Sequence, residues 1–307
     1  MSRVSTFGQS QSLLNTLLVN QQKVFDSQEK LNSGKKSDDF KGLASEATTL
    51  MNSKAFKSRV DSFKNIITNV QGKIDANDVQ LNGVLNMARE LRQNIVEVLG
   101  QGEAVAFEET LSNTFSFIAD SLNTEVGGTF IFGGSKTDVP PVNGSDISDL
   151  VAATSAADLF QNDNQAQKAR VTDNVLMDYS LLADDVAKDL FTTIKTIADY
   201  HYGGGGPING KLTAAEVTFL TDELANLDAA IDVSQSVQTR NGLKSERLQI
   251  ISEQHTDTSI FLETFISNIE DTNIAEAITK LNMDKVALES SIRTLALVSD
   301  MSLLDFI

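Results

Sequence analysis

The stretch that decides the fold is Asn273–Ile307, "NIAEAITKLNMDKVALESSIRTLALVSDMSLLDFI". It contains neither Gly nor Pro, and Ile274, Leu281, Leu288 and Leu295 recur every seven residues, with Ile278 and Ile292 filling part of the stripe beside them. A sustained seven-residue apolar repeat is the signature of a coiled-coil face. Asn273 and Glu276 stand at the spacing of a capping box, which starts the helix at Asn273. About 30 residues at 1.5 Å each give a helix of roughly 45 Å. Its end is unusual. Leu303, Leu304, Phe306 and Ile307 are large apolar groups where chain ends are ordinarily frayed and polar. Burial of each such side chain contributes about 1.5–3 kcal/mol, so the segment is expected to order on assembly.

A weaker stripe of the same kind lies at the other end. Leu17, Val24 and Leu31 repeat at seven, and Leu14 sits three residues before Leu17. Val4 to Gln22 carry no charge, and 11 of those 19 residues are Ser, Thr, Gln or Asn. An uncharged polar surface suits packing against copies of itself, where like charges would repel. The two terminal segments are therefore expected to pair.

Between them the texture changes twice. After the turn-rich "NSGKKSDDFKG", apolar residues at helical spacing run from about Leu43 through Leu50, Val60, Ile67, Ile74, Leu81, Leu91 and Leu99 to "GQGE". Gly72 and Gly83 interrupt this pattern at about 1 kcal/mol each relative to Ala. A second helix is expected over about 104–123. "GGTFIFGGSKTDVPPVNGSD" then brackets a short apolar strand, 129–132, with glycines, and Pro140–Pro141 exclude a helix. Residues 169–171 and 175–179 flank Thr172–Asp173–Asn174 as a hairpin. Helix resumes over about 181–200, stops at "HYGGGGPING", and continues from Thr213 to a joint at 271–273. The expected fold is mainly α: an elongated antiparallel helical rod with paired terminal coiled-coil segments and a small β-rich insertion at the far tip. The expected divisions are 1–40 with 272–307 (terminal assembly segments), 41–127 with 181–271 (helical rod) and 128–180 (small β-rich domain).

Composition excludes several functions. The 307 residues include no Cys and no Trp, and the formal net charge is −17. Thiolate chemistry and disulfides are absent, and nucleic-acid binding through phosphate neutralisation lacks its basic footprint. Adhesion to anionic lipid is disfavoured for the same reason. No segment reaches the roughly 18 apolar residues of a membrane span, and the N-terminal region lacks the pattern of a cleaved secretory signal.

Catalytic patterns fail one by one. "GGGGPINGKL" matches the first seven positions of GxxxxGK[ST], but Leu212 stands where Mg²⁺ needs a hydroxyl, and a helix precedes the loop. The reading is a loose inter-helix loop. His201 and His255 have no HExxH spacing, and His255 reads as a solvated helix residue. Asp184 and Asp185 are adjacent on a helix and point in different directions, as on a solvated face. No Ser stands in a GxSxG setting. The chain is expected to have no enzymatic activity, no cofactor and no metal.

The ends carry a resemblance. "RVSTFGQSQSLLNTLLVNQQKVFDSQEKLNSGKKSDD" resembles the start of bacterial flagellins and of the hook-associated proteins built on the same plan. "ISNIEDTNIAEAITKLNMDKVALESSIRTLALVSDMSLLDFI" is similar to their shared last helix. "GTFIFGGSKTDVPPV" and "FQNDNQAQKARVTDNVLMDYS" resemble the small β domain of the hook–filament junction branch. The likeness covers about two-thirds of the chain. It implies a structural protein, exported through the flagellar type III apparatus to the extracellular flagellum and assembled as a ring joining hook to filament. A filament flagellin is the alternative, and a secreted surface enzyme or glycan-binding protein a remoter one. The implied partners are copies of itself, adjacent hook-associated and flagellin subunits, and an export chaperone, without nucleic acid or membrane insertion. Carried over by position, Leu14, Leu17, Val24, Leu31, Ile274, Leu281, Leu288, Leu295 and Leu303 would lie in the inner coil. Ile278, Ile292, Leu304 and Phe306 extend that candidate set from the terminal stripe. The insertion is short, so a surface role tied to a larger outer domain does not carry over.

Overall fold

The computed structural model describes residues 2–37 and 46–304, with side chains over 8–37 and 46–298. The described chain is mainly helical. Its elements run α1 (Ser2–Ser33), α2 (Ala47–Gln101), β1 (Glu103–Ala104), α3 (Phe107–Leu122), β2 (Glu125–Val126), β3 (Thr129–Phe130), α4 (Ile147–Ala152), β4 (Lys168–Arg170), β5 (Leu176–Asp178), α5 (Ala183–Tyr202), β6 (Gly210–Lys211), α6 (Ala214–Glu270) and α7 (Ile274–Leu304). At 1.5 Å per residue, the 55 residues of α2 and 57 of α6 make helices of roughly 80–85 Å each. The interior glycines Gly72 and Gly242 do not break them; packing overrides propensity.

The chain divides into two compact units, one of Met1–Arg59 with Asp257–Ile307 and one of Val60–Thr256. In the second unit α2 and α6 run antiparallel. Asn241 Nδ2 donates to the Ile74 carbonyl at 3.0 Å, and Gln238 Nε2 to Asn82 Oδ1 at 2.8 Å. Leu81, Leu85, Leu91 and Ile95 of α2 are buried with Leu111, Phe115 and Ile118 of α3, Leu190, Phe191 and Ile194 of α5, and Leu220 and Leu227 of α6. Phe191 lies between Phe115 (4.9 Å) and Phe160 (5.3 Å), a cluster whose geometry adds to its area burial. Gly83 admits α3 closely: a Cβ there would lie 3.0 Å from the Phe117 ring.

Among the described residues, the β strands form three two-stranded antiparallel pairs. The β4–β5 hairpin has the expected location, with Ala169 opposite Met177. Val171 and Met177 seat it on Ile67, Val70 and Ile74 of α2 and Leu248 and Ile251 of α6. His255 donates from Nε2 to the Val171 carbonyl at 2.7 Å and stacks on Phe63 at 5.5 Å. The expectation of a solvated His255 is thereby corrected. Its neighbours along α6 are polar, but the hairpin brings it both an acceptor and an aromatic face. The strand expected over 129–132 is only Thr129–Phe130, paired with Glu125–Val126. Beyond it the backbone turns at Gly134 (φ +68°), where a Cβ would lie 2.4 Å from Asp163 Oδ1. Asp163 accepts from the backbone N–H of Ser135 and Gln165 and from the Ser135 hydroxyl. The hydroxyl bond first, then the backbone bonds, hold its carboxyl below the usual carboxylate range.

Residues 147–152 form α4, a short helix inside the segment 128–180 expected to be β-rich. Asp149 accepts the N–H groups of Ser145 and Asp146, which closes the entry turn. The "GGGGPINGKL" loop is anchored at its far end. Gly210–Lys211 pairs with Glu103–Ala104, and Ile208 is buried. This corrects the reading of a loose connector.

In the first unit, Leu50 packs on Ile269 with Phe265 and Ile266 alongside. The joint between α6 and α7 is tied to the end of α1. Lys36 N donates to the Glu270 carbonyl, and Thr272 N to the Gly34 carbonyl, both at 2.8 Å. Lys36 Nζ reaches the carbonyls of Asn268 and Ile269, which would otherwise be unpaired at the α6 C-terminus.

Candidate assembly interface

α1 and α7 pack along each other's length. The reduced exposure on α1 falls in the series Ser10, Leu13, Leu17, Asn20, Val24, Ser27 and Leu31, with Lys30 beside its last member. On α7 it falls at Ala277, Leu281, Asp284, Leu288, Ser291, Leu295 and Val298. Both sets alternate intervals of three and four, the a/d seam of a heptad repeat. Two hydrogen bonds fix the register: Asn20 Nδ2 donates to Ser291 Oγ at 2.8 Å, and Ser27 Oγ to Asp284 Oδ2 at 2.6 Å. As residue numbers rise on one helix they fall on the other, so the pairing is antiparallel. The same register sets Leu17 level with Leu295, Val24 with Leu288 and Leu31 with Leu281. Apolar layers therefore alternate with polar ones.

The sequence-derived residues sort into three groups. Leu17, Val24, Leu31, Leu281, Leu288 and Leu295 lie in this seam. Leu14 (47% exposed), Ile274 (59%), Ile278 (44%) and Ile292 (51%) lie outside this intrachain seam. Leu14 follows the seam residue Leu13, and one residue turns a side chain about 100° round the helix. Ile278 and Ile292 follow Ala277 and Ser291 in the same way. Ile274 keeps the heptad position of Leu281, but the register carries it past Ser33, where α1 ends. Leu303 and Leu304 lie on α7 beyond the described side chains, and Phe306 lies outside the described residues. Ser10, Asn20, Ser27, Asp284 and Ser291 are seam members that a search for apolar periodicity misses. Their signal is the 3–4 spacing itself.

The seam is thinly covered. Among its described members only Ser27, Ala277 and Leu281 are below a tenth exposed. Around it stand Leu18 (59% exposed), Val19 and Phe25 of α1, and Met283, Val286 and Leu297 (65%) of α7. Apolar groups thus occupy several faces of both helices, whereas a helix fully served by one partner shows one apolar stripe. At the base of the seam, Glu270 receives Lys35 (2.7 Å) and Lys54 (2.5 Å). The Lys35 hydrogen bond, then that of Lys54, holds its carboxyl below the usual range.

The two terminal helices thus form a half-covered antiparallel coil. Two solved structures of similar fold bear flagellar names. A protein assigned as a flagellar hook-associated protein from Vibrio parahaemolyticus superposes with a TM-score of 0.57 at 15% identity, over 76% of this chain and 99% of that one. FlgL of Bacillus cereus superposes with a TM-score of 0.55 at 14% identity, over 71% and 99%. No family model and no curated protein matches the chain in sequence. The likeness is therefore one of fold.

Proposed function

We propose that the protein is a non-enzymatic structural subunit of the bacterial flagellum, of the type of hook-associated protein 3, joining hook to filament as an assembled ring. One observation carries the reading: α1 and α7 leave large apolar side chains on the faces that their own pairing does not cover. At about 25 cal/mol per Å² of apolar surface, a neighbouring subunit that covered those faces would stabilise the assembly substantially. The uncharged start of α1 supports the same reading, because copies of it can approach without charge repulsion. The two solved structures named above are hook-associated proteins, which supports the junction reading. Copies of this chain, the adjacent hook-associated and flagellin subunits, and an export chaperone are the proposed partners, at the extracellular flagellum.

The test separates folding from assembly. Ile278→Asp with Ile292→Asp alters only exposed positions, so the monomer should keep its circular dichroism and melting temperature. The same variant should fail to restore motility to cells lacking the protein. Leu281→Asp, inside the seam, should instead lower the helicity of the monomer. Full motility with the double variant would sink the assembly reading. Immunogold label along whole filaments, rather than at the distal end of the hook, would replace the junction by the filament.

A further inference from the structure

Independent of the terminal helices, a cleft of about 630 Å³ lies where α5 meets the start of α3. Phe107, Glu108, Glu109, His201, Tyr202 and Ile208 line it. His201 is only 3% exposed, in the last turn of α5. Its Nδ1 accepts the Ile208 N–H at 3.2 Å, and Ile208 is itself buried. A ring nitrogen that accepts carries no proton, so the ring is neutral with its proton on Nε2. That nitrogen faces Glu108 Oε2 at 3.6 Å, while Tyr202 donates its hydroxyl to Glu108 Oε1 at 3.1 Å. Phe107 and Tyr202 flank the ring at 6.2 and 4.7 Å.

We propose that His201 is a proton-operated latch on segment 203–210, holding Ile208 when neutral and releasing it to ion-pair with Glu108 when protonated. An imidazolium has two donors and no acceptor. Protonation therefore removes the only ring group that Ile208 N–H can use, whatever the ring then does. The charged and titratable groups in the cleft are Glu108 and Glu109 from α3 and Tyr202 from α5; Ile147 of α4 and the Ile208–Asn209 segment bring none. Two residues after Ile208, the chain enters the β1–β6 ladder, which is two residue pairs long. So short a ladder is marginal alone, and loosening at Ile208 should pass to it. The consequence is a connection between α5 and α6 that tightens and slackens with pH.

Amide hydrogen exchange of the full chain tests this, with rates corrected for their intrinsic pH dependence. Peptides spanning 203–212 should lose about tenfold in protection on acidification, while those spanning 81–98 of α2 should not change. His201→Asn keeps an acceptor but cannot be protonated, so its profile should be flat. A flat profile in the native chain, or the same loss in His201→Asn, would overturn the latch. Imidazole ¹⁵N spectra of the native chain give a check that needs no variant. A neutral ring with its proton on Nδ1 would contradict the Ile208 bond on which the proposal stands.

Discussion

Lys195 of α5 carries its ammonium to a place where water scarcely reaches, with the side chain 11% exposed. Nζ donates to the Leu150 carbonyl (3.0 Å), the Val151 carbonyl (3.3 Å) and Asp199 Oδ1 (3.1 Å). It thus serves the end of α4, a helix of six residues that retains carbonyls without intrahelical partners. Nothing in "FTTIKTIADY" distinguishes this lysine from a surface one paired with Asp199, because the carbonyls it serves lie some 45 residues earlier in the chain. Lys195→Met keeps the stem and removes the donors. It should cost about 1–3 kcal/mol, the penalty for buried acceptors left unpaired, and chemical denaturation monitored by circular dichroism would measure it. A variant as stable as the native chain would mean that water replaces the ammonium there.

Among elements, the joint between α6 and α7 shows how charge and backbone pairing combine. Glu270 is the hub, with Lys35 from the segment after α1 and Lys54 from α2 on its two oxygens. Its folded pKa is lowered, so its contribution to stability is fully present above the unfolded value, about 4.3. That contribution disappears as pH falls through the lower, folded value. The joint should therefore loosen only in acid. Glu270→Gln should be less stable than the native chain at neutral pH and lose less on acidification, as read from helicity against denaturant at several pH values. Parallel pH dependences in the two proteins would remove Glu270 from this role. Asn273 opens the next helix as its sequence predicts, accepting the N–H groups of Ala275 and Glu276.

On the scale of the whole molecule, burial is unevenly distributed. Side chains of α2, α3 and α5 between Leu81 and Ile197 are in many cases wholly inaccessible, whereas the α1–α7 seam is mostly half-covered. Local opening is easiest where buried apolar contacts are few. Amide exchange in the isolated chain should therefore be fastest in α1 and α7 and slowest over 81–98, 111–122 and 186–198. Strong protection of both terminal helices in the monomer would contradict ordering coupled to assembly. In assembled protein the same amides should become protected.

Helical content, the two terminal heptads, the hairpin at 168–178 and the cap at Asn273 were all written in the sequence. Each is a local matter of periodicity, turn chemistry or capping within a few residues. The candidate interface was legible in part. Leu17, Val24, Leu31, Leu281, Leu288 and Leu295 follow from spacing, but Leu14, Ile278 and Ile292 share the apolar character and not the face. Ser27 and Asp284 join the seam because the antiparallel register sets a donor opposite an acceptor. The β1–β6 ladder, the roles of His201, His255 and Lys195, and the face on which each apolar side chain ends were decided by tertiary structure alone. Each depends on a partner brought from a distant part of the chain. A sequence specifies its own helix period, but which of two apolar neighbours is covered depends on the helix that arrives beside it.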